Sequence, residues 1–103
     1  KVSGTETLYY HKSEDGKILA DILQIGIVRA LGLPDRGSKA RTGSDRGGYQ
    51  LKYTKAPCVI IEPFFIDNND DLKTVVKKYN ELVLSVAYGI LSYSFYATGK
   101  KNN

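Results

Sequence analysis

Glu62 is the side chain whose place in the sequence points most directly to chemistry. It ends an unbroken apolar run, residues 56–61, and a proline and two phenylalanines follow it. A carboxylate in such a setting is costly to bury unless it is paired, bound to metal or kept protonated. It could therefore act as a general acid or base. It could equally cap the next segment or pair with an arginine, for which Arg36, Arg41 and Arg46 are available.

Few other residues in this sequence could bind a metal ion or act as a nucleophile. His11 is the only histidine and Cys58 the only cysteine. Structural zinc needs four protein ligands and catalytic zinc typically three, so the chain cannot build a histidine-rich site alone. We expect His11 to be a surface residue at a strand end and Cys58 a small core hydrophobe. A single cysteine also excludes an internal disulfide.

The segment DRGG, residues 45–48, is a second candidate site. Consecutive glycines free backbone N–H groups, so such a turn can bind an anion. It matches neither the Walker pattern nor G-x-G-x-x-G, so nucleotide binding is unsupported. Arg46 is predicted either to position this loop or to bind a ligand that carries a carboxylate.

Composition restricts the class of protein. A chain of 103 residues forms one modest domain at most, and 42% hydrophobic with 25% charged residues is ordinary for a globular protein. The net charge of +4 is spread among scattered Lys and Arg, so we expect no nucleic-acid partner. The first residues resemble no signal peptide, and we expect no segment long enough to span a bilayer. The compartment is left open.

The predicted elements explain how these side chains could be positioned. The β-prone TETLYY at residues 5–10 predicts a strand. Apolar residues at mostly helical spacing predict a helix over residues 17–31, ended by Gly32, with Gly26 at a close packing contact. Residues 58–62 predict a strand buried on both faces, whose carboxyl end would be the ligand-binding edge.

Secondary structure in the rest of the chain is predicted clearly for some segments and left open for others. The polar, glycine-rich residues 35–48 predict a loop with a possible short strand around 39–42, and residues 49–53 fit a short strand or a helical turn. An acidic cap and an apolar stripe predict one helix of about five turns ending near residue 91. We expect residues 97–103 to be a polar tail that frays.

This alternation predicts an α/β domain over residues 1–96, with a mostly parallel sheet and flanking helices. Two or three strands are fewer than a usual sheet contains, and a parallel sheet needs helices on both faces. The domain therefore looks incomplete. Because the chain begins with Lys1, we expect its native beginning to lie upstream.

Four stretches, in this order, resemble the C-terminal half of the zinc-dependent N-acetylmuramoyl-L-alanine amidases. These enzymes are the peptidoglycan hydrolases of bacteria and of phage endolysins. The stretches are SGTE with LYYH (residues 3–6 and 8–11), LGLPDRG (31–37), DRGG (45–48) and APCVIIEPFFIDN (56–68). The last is the most specific, and the likeness extends to about Tyr96.

The resemblance implies an α/β fold and cleavage of the amide bond between N-acetylmuramic acid and L-alanine in peptidoglycan. Glu62 matches the family's glutamate that takes a proton from a zinc-bound water. The family's zinc ligands, two histidines and a glutamate, precede the matched segment and have no counterpart here. His11 aligns beyond the last of them and is given no metal role. We therefore expect no zinc on this chain alone and no activity from it alone.

Two hypotheses remain open. In the first, the chain is part of a cell-wall hydrolase that acts on peptidoglycan outside the cytoplasmic membrane and needs an N-terminal complementing segment. In the second, it is a stand-alone, inactive amidase-derived domain, plausibly phage-encoded, that binds a host protein or wall polymer. Its half-sheet would then close by homodimerisation, since an exposed edge invites pairing.

Overall fold

The computed structural model describes residues 2–102, and within them strands and helices alternate along the chain. The elements are β1 (Thr5–Tyr10), α1 (Glu14–Leu31), β2 (Asp35–Arg41), α2 (Gly48–Tyr53), β3 (Val59–Glu62), α3 (Asn69–Lys77) and α4 (Tyr79–Asn102). The sheet has the order β2-β1-β3, in which β2 runs parallel to β1 and β3 antiparallel to it. The predicted α/β class, a sheet with flanking helices, is confirmed, with one parallel and one antiparallel strand pair.

Buried polar contacts fix α1 against the sheet. Thr7 donates its hydroxyl to the Gln24 side chain at 3.0 Å, and Gln24 Nε2 donates to the Thr5 carbonyl at 2.8 Å and to the Asp35 carboxylate at 2.8 Å. Thr5, Thr7 and Gln24 are all buried, so these hydrogen bonds satisfy polar groups whose burial without a partner would be unfavourable. One glutamine thus joins α1 to both β1 and β2.

The apolar core lies between α1 and the C-terminal helices. Leu23, Ile27 and Leu31 of α1 are buried with Val75 of α3, and each such side chain contributes about 1.5–3 kcal/mol through burial. Gly26 faces Ser85 of α4, but an added Cβ would lie 3.7 Å from the Ser85 carbonyl oxygen, an ordinary van der Waals distance, so the predicted close packing does not require glycine here.

The prediction that residues 58–62 form a strand buried on both faces is wrong. β3 has four residues, all half-buried, and it pairs on one side only, with the central strand β1. Cys58 precedes β3, is half-buried and lies outside the apolar core, so its predicted role as a core hydrophobe is wrong too.

The predicted loop over residues 35–48 is wrong in its first half, which forms β2, whereas the possible short strand around residues 39–42 is confirmed over 39–41. This strand has no apolar alternation, so side-chain pattern could not reveal it. Its backbone pairing with β1 includes a register shift between Thr5 and Thr7, beside Gly37, whose φ of 80° favours glycine. Residues 49–53, left open by the sequence, belong to the short helix α2.

The single C-terminal helix of the prediction is two helices. α3 ends at Lys77, the next residue Lys78 has φ and ψ of −107° and 27°, which are not helical, and α4 starts at Tyr79. The break lets Lys78 donate to the Leu31 carbonyl at the end of α1, at 3.3 Å. α4 then continues through Asn102, where we expected a polar tail.

α4 is apolar around most of its circumference. One side packs on α1, while large apolar residues are exposed on the other sides, namely Val83, Leu84, Tyr88, Ile90, Leu91 and Phe95. The stretch Tyr79–Lys100 has 22 residues, and an 18-residue window within it has a mean hydropathy of 1.3, enough by length and composition to cross a membrane. The prediction that the sequence contains no such segment is therefore wrong. Length and composition alone do not make it a membrane span.

Asp71 joins the start of β1 to α3, and its removal should destabilise the fold. Its carboxylate, in a residue only 5% exposed, accepts hydrogen bonds of 2.9 Å from the Ser3 hydroxyl and the Gly4 N–H. In Asp71→Ala the buried Gly4 N–H loses its acceptor, so the free energy of unfolding should fall by about 1–3 kcal/mol. Asp70→Ala, an exposed neighbour in the same helical turn, should cost under about 1 kcal/mol. Equal losses in urea unfolding would contradict this role for Asp71.

Candidate active site

Glu62 lies at the last position of β3, directly opposite Glu6 of β1. Because β3 is antiparallel to β1, the carboxyl end of β3 meets the amino end of β1. The expectation that Glu62 sits at the shared carboxyl edge of a parallel sheet is therefore wrong. The side chains of Glu6 and Glu62 lie on the sheet face opposite α1, since the neighbouring Thr7 side chain hydrogen-bonds to Gln24 of that helix and side chains alternate along a strand.

His11 is remote from Glu62. It follows β1 at the opposite end of the strand, donates its backbone N–H to the Arg41 carbonyl at 2.9 Å, and is exposed, as predicted. Its ring packs edge-on against Tyr10, with 4.9 Å between centroids. The two ends of a six-residue strand are about 16 Å apart. His11 and Glu62 therefore do not form one site.

The two carboxylate oxygens of Glu62 have different surroundings. Oε2 accepts a hydrogen bond of 2.9 Å from Nη2 of Arg46. Oε1 is enclosed and has no hydrogen-bond partner among the residues that the structure describes. The Glu62 side chain is 17% exposed, whereas that of Arg46 is 77% exposed. Of the three arginines considered from the sequence, Arg46 is the one that pairs with Glu62.

A closed loop between β2 and α2 carries Arg46 to this position. The Asp45 carboxylate accepts from the Thr42 N–H at 2.6 Å and from its hydroxyl at 3.1 Å, and these hydrogen bonds lower the pKa of Asp45. Gly47 has φ of 79°, and a Cβ on Gly48 would overlap the Thr42 carbonyl. The glycines thus allow a tight turn, and the structure gives them this steric role.

Glu6 belongs to the same cluster, and the sequence did not single it out. Its side chain is 6% exposed, with Oε1 3.0 Å from Nε of Arg36 and Oε2 3.7 Å from Nη2 of Arg41. Burial raises the pKa of Glu6, but hydrogen bonding to Arg36, an interaction with the Glu62 carboxyl group and the charges of Arg36 and Lys39 outweigh it. The net effect is a lowered pKa, so Glu6 is held ionised.

A shallow groove of about 370 Å³ runs beside Glu62. Arg46, Ile61, Glu62 and the turn over residues 63–66 line it. Phe65 in this turn packs under the Arg36 guanidinium, at 5.1 Å from the ring centroid. The aromatic turn that follows β3 is thereby fixed against the same charged face of the sheet. The arrangement offers a carboxylate for proton transfer and a largely exposed guanidinium for an anion.

The part of the chain that the structure describes holds no cluster of three or more His, Cys, Asp or Glu residues placed to bind a metal ion. Glu6 and Glu62 supply two carboxylates, and the arginines around them would oppose a cation. Catalytic zinc typically needs three protein ligands. The residues of this site therefore do not fit a zinc centre by themselves.

Comparison with protein families and curated proteins gives one consistent result. The family model described as N-acetylmuramoyl-L-alanine amidase matches residues 1–92. The N-acetylmuramoyl-L-alanine amidase LytC of Bacillus subtilis (strain 168) is 33% identical over 96 residues, which cover 88% of this chain and 18% of that protein.

Solved structures show the same relationship. An N-acetylmuramoyl-L-alanine amidase from Clostridium difficile 630 is 27% identical with a TM-score of 0.78, over 90% of this chain and 49% of that one. The CwlD amidase of Clostridioides difficile, solved in complex with the GerS lipoprotein, is 25% identical with a TM-score of 0.79, over 93% and 48%. The catalytic domain of the CD27L endolysin, which targets Clostridia difficile, is 28% identical with a TM-score of 0.74, over 89% and 47%.

The chain therefore spans about half the length of these solved relatives and a smaller share of the curated one. The matched family model covers most of the chain, including the strand pair that carries Glu6 and Glu62. By sequence and by fold, this chain belongs to the N-acetylmuramoyl-L-alanine amidase family.

Proposed function

We propose that residues 1–96 are the C-terminal part of a catalytic domain that cleaves the N-acetylmuramoyl-L-alanine amide bond of peptidoglycan. Family membership supports this reaction. The observation that carries the assignment to Glu62 is its place in the groove, with Oε2 held, among the described residues, by the highly exposed Arg46 alone. Such a partner can be replaced by substrate at little cost, because exposed ion pairs contribute little to stability.

In this proposal Glu62 is the general base. Amide hydrolysis requires that a proton leave the attacking water and that the departing nitrogen gain one. A single carboxylate can perform both transfers in turn, taking the proton from water and returning it to the amine. Once Arg46 moves aside, Oε2 of Glu62 is free to accept that proton. Ile61 and Phe65 line the same groove as Glu62.

Arg46 is proposed to bind a carboxylate of the substrate. Its guanidinium already pairs with a carboxylate, that of Glu62, and 77% of its side chain is exposed. A carboxylate on the peptide portion of the substrate could replace Glu62 as its partner, since arginine matches carboxylate geometry. Substrate binding and release of the base would then be one event.

Zinc is implied by the resemblance, but the residues described do not provide a site for it. The proposal therefore assigns to this chain only the general base, Glu62, and the arginine that binds substrate, Arg46. The zinc ligands are assigned to an N-terminal complementing segment outside these 103 residues. The substrate lies outside the cytoplasmic membrane, in the cell wall or periplasm. A role within a phage endolysin is one form of this proposal.

Replacement of the base tests the first assignment. In the full native protein, Glu62→Gln should lower kcat on purified peptidoglycan by about 10²–10⁴-fold, because the amide cannot accept the proton. Zinc content, measured by elemental analysis, should not change. Glu81→Gln, at an exposed position on α4, is the matched control and should keep normal activity. A zinc-loaded Glu62→Gln enzyme with full activity would falsify the assignment.

The role of Arg46 predicts a change in substrate binding. Arg46→Ala should raise KM for a soluble muropeptide about tenfold or more, since a hydrogen bond to a charged group contributes about 1.5–3 kcal/mol. The same variant should no longer distinguish that muropeptide from one whose carboxylates are amidated. Arg29→Ala, at an exposed position of α1, serves as the control for loss of a charge. If Arg46→Ala retains both its KM and its discrimination, Arg46 does not bind the substrate.

A second candidate function is a stand-alone binding domain. The observations that favour it are the exposed apolar side of α4 and the unpaired outer edges of β2 and β3 within residues 2–102. Sedimentation of the 103-residue chain separates the two functions. A folded homodimer without zinc supports the binding domain. A chain that aggregates alone and folds with an upstream segment supports the hydrolase.

A further inference from the structure

Two features lie uncovered by any of the described residues: the outer edge of β3 and the sides of α4 that face away from α1. We propose that they form one docking surface, which the upstream part of the same protein covers by adding a β-strand to β3 and packing apolar side chains under α4. This inference rests on the proposed function for the existence of that upstream part. It adds the place where the upstream part binds and gives α4 the role of a core helix.

α4 lies beside α1, on the flank of α1 opposite β2. An added Cβ on Gly89 of α4 would lie 2.6 Å from Cδ2 of Leu23, so the two helices are in close contact there. Asp21 of α1 interacts with Ser38 of β2. At 3.6 residues per turn, Asp21 and Leu23 are about 160° apart around the helix. α1 therefore has β2 on one flank and α4 on the other.

The apolar core places α4 at the β3 side of the sheet. Val59 and Ile61 of β3 pack against the buried side chains of α1, as do Leu82 and Val86 of α4. α1 itself lies over β1 and β2, which Gln24 joins. Paired strands are about 4.8 Å apart, whereas packed helices are about 8–10 Å apart. Measured from a helix between β1 and β2, that distance places α4 just past β3, so α4 overhangs the edge of the sheet.

The overhanging side of α4 is apolar and exposed. Val83, Val86 and Ile90 are spaced by three and four residues, which puts them on one face of the helix. Val86 packs against the core, whereas Val83 and Ile90 on either side of it are about half exposed. Beyond β3 the described residues provide no strand on which these two side chains could pack. The space under α4 therefore has the position of a further strand.

β3 has the composition of an interior strand, although its outer edge is unpaired among the described residues. Its sequence, VIIE, has one charge, at the last position, and no lysine or proline. β2, at the other edge of the sheet, reads DRGSKAR and pairs with a register shift beside Gly37. Charged side chains and bulges protect exposed edges from pairing. The edge of β3 is thus the one open to a further strand.

A lipid bilayer does not fit this surface. A helix that is apolar around most of its circumference is either a core helix or a membrane span. α4 is tied to α1 at both ends, because Lys78 donates to the Leu31 carbonyl and Lys100 to the Asp15 carboxylate. A span would take α1 into the hydrocarbon with it, and the exposed Arg29 of α1 would be costly there. α4 in this packing is therefore a core helix.

The length of the solved relatives identifies the protein that covers it. Each of the three is about twice as long as the part that this chain matches, so a second segment of similar size belongs to one chain with the same fold. Such a segment is large enough to supply both a strand for β3 and apolar side chains for α4. We therefore commit to the upstream part of the same protein and not to a second copy of this chain.

Two isoleucines of equal exposure provide a matched test in the full native protein. Ile90 is 55% exposed and Ile25 is 54% exposed, and Ile25 lies on the side of α1 away from α4. Each is replaced by cysteine in a Cys58→Ser background, and its labelling by a maleimide is followed by mass spectrometry. Ile90→Cys should react about tenfold or more slowly than Ile25→Cys, because the upstream part buries only the former. Amide hydrogen exchange in β3 should be as slow as in β1.

Equal labelling of the two cysteines in a folded, monomeric protein overturns the inference. Protection of Ile90→Cys that is lost on dilution, or that appears only with phosphatidylglycerol vesicles, also overturns it, since the occupant is then a second copy or a lipid. Val83→Cys replaces Ile90→Cys if that variant does not fold. Amidase activity is assayed separately. Unprotected Ile90→Cys in an active enzyme overturns the docking surface alone, whereas protected Ile90→Cys in a protein without amidase activity supports the surface and counts against the proposed function.

Discussion

The pairing of β3 with the central strand β1 is the constraint on which the site depends. Side chains alternate between the faces of a strand, so a slip of one residue would turn Glu62 toward α1 and away from Glu6. Contacts on both sides of the pair prevent that slip. Thr5 donates its hydroxyl to the Pro63 carbonyl at 2.8 Å, and Asn68 donates its side-chain amide to the Val2 carbonyl at 3.0 Å. The start of β1 and the turn after β3 are therefore held in one register.

The same pairing divides the sheet into two different surfaces. One face is covered by α1, with α4 packed on that helix. The other carries two carboxylates and the cations around them, partly covered by the short helix α2. The sequence contains three arginines that could pair with Glu62, but the structure divides them between Glu6 and Glu62. Arg36 and Arg41 lie beside Glu6 because β2 extends along β1. That division gives Glu6 and Glu62 different electrostatic surroundings.

Local signals in the sequence predict the first two elements well. β1 is rich in branched and aromatic residues, and α1 has a regular apolar stripe, a capping residue at Ser13 and a glycine stop at Gly32. β2 lacks such a signal because its stability comes from backbone pairing. The antiparallel direction of β3 and the break at Lys78 are likewise set by tertiary contacts. Glu62 was recognisable from its apolar neighbours, whereas Glu6 looked like an ordinary polar residue in a β-prone run.

The antiparallel pairing also has a consequence for the order of folding. β1, α1 and β2 are consecutive in the chain and form a parallel β-α-β unit whose contacts are comparatively local. Glu6 and Glu62 lie more than half the chain apart, so their pairing requires closure of a much longer loop. We expect the β-α-β unit to form first and β3 to join it late. The charged pair would then be among the last features to assemble, and among the first to be lost when the edge strand detaches.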